Sequence, residues 1–128
     1  MQAEIPEWQI DNGHANRKRF EKFAGKHPRE NASLFANLEK VMRILRDGHK
    51  IGGFQIGFFR SEGGGVYRIG QTGVPGAKES RLYVYPDETK RLMYTLDIGD
   101  KDSQHIDVNN AKALVKNLRA EVEKPEKQ

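Results

Sequence analysis

Arginine and tyrosine alternate with apolar residues through the middle of the chain. They are the residue types there best equipped for chemistry. Along three segments with period-2 patterning, Arg68, Arg81, Tyr83, Tyr85 and Arg91 fall on one side, together with Met93, Thr95 and Asp97. A guanidinium binds phosphate and a phenol ring stacks on a flat base, so such a face suits a polyanion carrying bases. Just beyond it, residues 99–105 (GDKDSQH) add Lys101, Gln104 and His105. Metal-free RNA cleavage needs that set. A base activates the 2′-hydroxyl, cations hold the phosphorane charge, and the 5′-oxygen leaves with a proton. Arg68 and Arg81 are then phosphate clamps and Lys101 a charge donor. Tyr83, Tyr85 and His105 are candidate proton carriers, with Gln104 as a hydrogen-bonding neighbour. Arg60 and Arg91 join Tyr85 and Gln104 as candidate RNA contacts. The same residue types also serve as ordinary packing and solubility residues on a sheet face, so both readings stand at this level.

Several other chemistries find no support. The chain has no cysteine, so disulfides, thiolate zinc sites and cysteine nucleophiles are excluded. His14, His27, His49 and His105 form no ligand spacing, and no nucleophile elbow or dinucleotide fingerprint occurs. Gly63, Gly64 and Gly65 lack the lysine and following helix of a phosphate-binding loop. Asp97, Asp100 and Asp102 read as solvated acids beside Lys101, not as a hard-metal cluster. No metal and no cofactor is implied. The opening MQAEIPEWQIDNG lacks the basic and apolar regions of a secretory signal, and no apolar run approaches the roughly 20 residues of a membrane span. A cytoplasmic protein without a membrane partner is expected.

The net charge is +4, unevenly spread. Residues 14–50 hold ten Lys/Arg against four acids, whereas residues 51–100 balance. The excess favours nucleic acid or an acidic protein as partner, with a solvated helix surface as the plain alternative.

The elements that must position these groups follow from periodicity. A short strand over residues 7–11 places Trp8 and Ile10 on one side, and Asn12-Gly13 marks a turn. Residues 14–26 predict a helix with Phe20, Phe23 and Ala24 on one face, ended by Pro28. Residues 28–47 predict a second helix, with Leu34, Phe35, Leu38, Val41, Met42 and Leu45 as a continuous stripe and Gly48 as its stop. Residues 54–59 alternate as a strand, and residues 61–65 form a hairpin loop from it into Val66. Strands are expected at 66–72, 81–85 and 91–98. Tyr67, Ile69, Leu82, Val84, Leu92, Tyr94, Leu96 and Ile98 should all meet the core. Asp107 is the expected N-cap of a last helix over 108–121, with Val108, Ala111, Leu114, Val115, Leu118 and Val122 as its stripe. This makes one α+β domain over residues 1–128, ordered from about residue 5 to 122, with 123–128 frayed.

In element order and local wording the chain resembles the RelE/HigB-type toxins of the RelE/ParE superfamily. The resemblance covers roughly Trp8 to Leu118. Val66-Tyr67-Arg68-Ile69 and Arg81-Leu82-Tyr83-Val84-Tyr85 look like two of the family's strands. Leu96-Asp97-Ile98-Gly99-Asp100-Lys101 followed by Ser103-Gln104 looks like the segment before its last helix. The resemblance implies a RelE-like fold, with an N-terminal strand and two helices on an antiparallel sheet of about four to five strands and a C-terminal helix. It implies the toxin of a type II toxin–antitoxin system, a ribosome-dependent mRNA endonuclease neutralised by a cognate acidic or helical antitoxin. Arg68, Arg81, Tyr83 and Lys101 would be its active-site positions. Two departures stand out. The family's basic cluster is here a lone Lys101 flanked by Asp100 and Asp102, and residues 73–80 form a longer loop. A non-catalytic RNA-binding member, a ParE-like topoisomerase inhibitor or an interaction module of the same fold is the alternative.

Overall fold

The computed structural model describes residues 6–123. The side chains at 122 and 123 and all of residues 124–128 lie outside the description, and with them the expected frayed tail and the Val122 position. The elements run β1 (Gln9–Asp11), α1 (Arg17–Lys26), α2 (Pro28–Arg46), β2 (Phe59–Gly63), β3 (Val66–Gly70), β4 (Ser80–Asp87), β5 (Leu92–Asp100) and α3 (Gln104–Glu123). Short 3-10 turns precede β2 and α3. The architecture is α+β, with three helices and one five-stranded sheet in the order β1-β5-β4-β3-β2. The sheet is mixed, not antiparallel throughout, because β1 lies parallel to β5. Parallel pairing follows from the connection: the chain crosses α1 and α2 and three further strands before β5 pairs with it.

Local chemistry accounts for the helices. Asn16 caps α1, its side-chain oxygen accepting from the Arg19 N–H at 3.3 Å. Pro28 opens α2 where no N–H is needed, and Gly48 beyond its end takes φ +101°. Leu34, Leu38, Val41, Met42 and Leu45 of α2 are buried, each worth roughly 1.5–3 kcal/mol of transfer free energy.

Two cores lie on opposite faces of the sheet. On one, α1 and α2 cover Ile69, Leu82, Val84, Met93 and Ile98. On the other, Val108, Ala111, Val115 and Leu118 of α3 cover Val66, Tyr83, Tyr94 and Leu96. The expected single apolar face is therefore wrong for β5. Between the pairs Tyr83–Asp97 and Val84–Thr95 the strand carries one extra residue. That bulge reverses the alternation, so Leu92, Tyr94 and Leu96 turn to α3 while Ile98 turns to α2. The arginine–tyrosine face is likewise not open. α3 lies on its middle.

Three boundaries also differ. Residues 54–58 are not a strand. A 3-10 turn (Ile51–Gly53) and an isolated bridge from Ile56 to Phe59 lead into β2, which begins at Phe59. β4 extends through Pro86 to Asp87, displacing the turn to residues 88–91, where Arg91 takes φ +53°. α3 begins at Gln104, four residues before the expected start at 108, so Asp107 is no cap. It is buried inside the first turn.

Candidate nucleic-acid interface

Arg68 lies between Tyr67 and Ile69, which pack on the α2 side, so alternation turns it to the α3 side. Arg60 of β2 sits directly opposite it in the register, and Gly70 pairs with Arg81. Arg60, Arg68 and Arg81 thus come from three adjacent strands to one open cleft of about 540 Å³. Gln71, Thr72, Glu79 and the turn at Gly57 and Phe58 complete it.

The cleft is fixed from below and from the side. Asn37 of α2 donates to the Gly70 carbonyl at 2.8 Å, and Ser33 exchanges hydrogen bonds with the Thr72 backbone. Gln71 accepts from the Ser80 N–H at 2.8 Å, closing the long loop between β3 and β4. Arg81 is 8% exposed. One arm donates to Gln104 of α3 and the other to Glu79 at 2.8 Å. Arg68 pairs with Glu62 at 3.2 Å, and Arg60 donates to the Gly57 carbonyl at 3.2 Å. Three guanidinium groups against two carboxylates leave the cleft cationic, with Arg60 as its exposed charge.

The remaining predicted residues divide into four groups. Gln104 joins the cleft through Arg81. Lys101 and His105 are exposed outside the cleft lining: the Lys101 backbone N–H donates to the Glu79 carbonyl at 3.0 Å, which sets Lys101 beside the cleft, whereas His105 approaches Asn109 one helical turn on at 3.4 Å. Tyr83 is 0% exposed beneath α3, and its hydroxyl has no partner among the described residues. Burial, reinforced by the negative charge of Asp107, pushes that hydroxyl above the ordinary phenol range despite Arg81. Tyr83 therefore packs, and it is removed from the proton carriers. Tyr85 and Arg91 lie toward the other end of the β4–β5 hairpin, roughly 13–20 Å along the strands from Arg81. Tyr85 stacks on Tyr94 with centroids 5.7 Å apart, and Arg91 donates to the Pro6 carbonyl. Neither belongs to the cleft.

Three contributions were not legible as site residues. Glu79 holds Arg81, but it sits in a segment that reads as loop. Lys78, beside it, bridges Asp100 at 3.3 Å and Asp102 at 2.6 Å, so the acids flanking Lys101 are paired from the β3–β4 loop. Although burial works against it, Lys78 together with the backbone N–H groups of Ser103 and Asp102 holds the Asp100 carboxyl below its ordinary value. Arg19 of α1 anchors the start of α3: it bonds Asp107 at 2.7 Å, Asp97 at 3.1 Å and the Ile98 carbonyl at 2.9 Å. Asp107 also accepts from the Ser103 hydroxyl at 2.6 Å. A Cβ on Gly99 would overlap the Asp107 carboxylate, which explains glycine there. The only advance signal was the cluster of Asp97, Asp100 and Asp102, read as solvated when Asp97 is in fact buried.

Among the described residues no group of three or more acids or histidines is placed to hold a metal ion, and no helix is long and apolar enough to cross a membrane. No family model, curated protein or solved structure matches this chain.

Proposed function

We propose that this chain is a RelE/HigB-like toxin of a type II toxin–antitoxin pair, cleaving mRNA on the ribosome at the arginine cleft. The carrying observation is that Arg60, Arg68 and Arg81 converge beside the segment bearing Lys101, Gln104 and His105. The order strand, two helices, sheet, helix agrees with the resemblance drawn from the residues. In this reading Arg60 and Arg68 bind the scissile phosphate, with Lys101 adding charge from the rim. The 2′-oxygen gives its proton to a base and bonds to phosphorus, the P–O5′ bond breaks, and the 5′-oxygen takes a proton. A 2′,3′-cyclic phosphate and a 5′-hydroxyl result. With Tyr83 buried, the groups left to carry these protons are the Glu79 carboxylate in the cleft and the exposed His105 imidazole next to Gln104 in sequence. The antitoxin would be an acidic or helical partner covering the basic surface.

A second reading has one observation in its favour. Both arms of Arg81 are already engaged, by Gln104 and Glu79, so it braces α3 as much as it faces the cleft. A non-catalytic RNA-binding member, or a ParE-like one, would keep the cleft and lack cleavage.

Controlled induction in a bacterial host, with growth and primer extension on translated messages read together, separates the two. The toxin reading expects rapid arrest with discrete cuts inside coding regions, relieved by Arg68→Ala and Lys101→Ala in folded protein. Normal growth and intact messages with folded protein accumulating would overturn it in favour of the binder. Arrest undiminished in both variants would refute the site.

A further inference from the structure

The end of the sheet remote from the arginine cleft carries two adjoining clefts that meet at Arg119. One, of about 390 Å³, is lined by Lys112, Lys116 and Arg119 of α3 and by Gly64 in the β2–β3 turn. The other, of about 260 Å³, is lined by Tyr85, Tyr94, Lys90 and Arg119, with Asp87 as its acidic member. Lys112, Lys116 and Arg119 are exposed and recur at helical spacing along one flank of α3. Lys112 and Lys116 are one turn apart, about 6 Å of rise.

The turn is shaped to this flank. Gly63, Gly64 and Gly65 all take positive φ, +84°, +61° and +86°. A Cβ at Gly64 would lie 3.3 Å from Lys112, and one at Gly65 would lie 2.6 Å from the Arg119 guanidinium. Three bare residues leave the groove wall without side chains. The Arg119 guanidinium lies over Tyr85, 5.5 Å from the ring centroid, and Tyr85 in turn stacks on Tyr94. One face of the flat cation is therefore backed by a ring while its Nη2 group lies nearest the Gly65 turn, and the exposed residue offers a supported plane of the kind on which bases stack.

We infer that this surface is a second binding site for single-stranded nucleic acid, with Lys112 and Lys116 on successive phosphates and Arg119 as the stacking plane. The ligand's identity as RNA rests on the function proposed above; the site itself does not require cleavage. A strand is favoured over an acidic peptide because the surface combines a row of point charges with a supported guanidinium plane. Acidic side chains would use the charges and leave the plane idle.

The test is fluorescence anisotropy with a labelled oligouridylate of about 12 nucleotides, titrated across a salt series, using the full chain. Lys112→Ala/Lys116→Ala alters two exposed residues and is checked for folding by circular dichroism. The slope of log K against log salt is expected to become shallower by about 1.4, two phosphates at about 0.7 each. Arg119→Lys is expected to keep the slope and weaken binding several-fold. An unchanged slope in the double-lysine variant overturns the site. If Arg60→Ala/Arg68→Ala abolishes binding while the α3 variants bind as wild type, this site falls and the cleft survives. If wild type binds with the expected lysine-dependent slope while induction leaves growth normal and messages intact, this site stands and the nuclease reading falls. Polyglutamate of equal charge competing as well as the oligonucleotide overturns the assignment to nucleic acid. No binding by wild type overturns this site, whereas the nuclease reading stands or falls on the induction assay.

Discussion

Replacing Arg19 with methionine removes the cation that the buried carboxylates Asp97 and Asp107 share, while keeping the length of the apolar stem. Asp97 lies on β5 beyond the part that β1 covers, Leu92 to Tyr94, and Asp107 lies in the first turn of α3. Asp107 is fully buried, whereas Arg19 is about one-third exposed. Breaking a buried pair by deleting one partner costs about 3–5 kcal/mol. Water reaching the arginine reduces that, and so do the bonds that survive: Ser103 to Asp107 and the Ile98 N–H to Asp97. The expected loss is about 2–4 kcal/mol, or roughly 8–15 °C in Tm for a domain of this size. Urea unfolding followed by circular dichroism at neutral pH measures it. Arg19→Met/Asp107→Asn should lose less than the sum of its parts by at least about 1 kcal/mol, because the stranded charge is gone. The pH dependence has a definite sign. Asp97 is already raised from 3.8 by burial in the intact protein, and losing the Arg19 charge that works against this raises it further. The folded variant then binds protons more readily, so its stability falls as pH rises through that window. The deficit is largest at neutral pH and shrinks toward about pH 4. A loss below about 0.5 kcal/mol, the size of an exposed ion pair, would refute the description of this latch.

Further tests probe separate features. Tyr83→Phe removes a buried hydroxyl that has no partner among the described residues and should stabilise the protein by about 1 kcal/mol in urea titrations; a loss of stability would show that the hydroxyl is hydrogen-bonded. Asp100→Asn tests the Lys78 bridge. Asp100 has a lowered folded pKa, so its contribution is complete well above 3.8 and lost as pH falls through the lowered value. The stability gap between wild type and variant should hold at neutral pH and close below pH 3.8, and a gap that widens on acidification counts against the bridge. Gly65→Ala places a methyl group against Arg119 at a backbone angle of +86° and should cost about 1–2 kcal/mol, whereas Gly52→Ala, with open space and ordinary φ, should cost far less. Equal effects of the two substitutions would show that the glycine turn does not shape the α3 flank.

The sequence by itself determined the element types, the α2 stripe, the caps at Pro28 and Gly48, and the existence of a sheet with Arg68 and Arg81 on one side of it. These are properties of neighbours along the chain, and periods of 2 and 3.6 expose them directly. It did not determine what lies on each face. A single extra residue at the β5 bulge reversed the side on which Leu92, Tyr94 and Leu96 sit, and no local signal marks that residue. Nor did it reveal that α3 seals Tyr83, since an apolar stripe says that a helix packs and not upon what. The partners of Arg19, 78 and 88 residues away, and the Lys78 bridge from the β3–β4 loop are choices of tertiary structure alone. Long side chains reach whichever charge folding brings near, and burial then decides which pairs matter. The chemistry of the cleft was written in residue types. Which of them converge was decided by register.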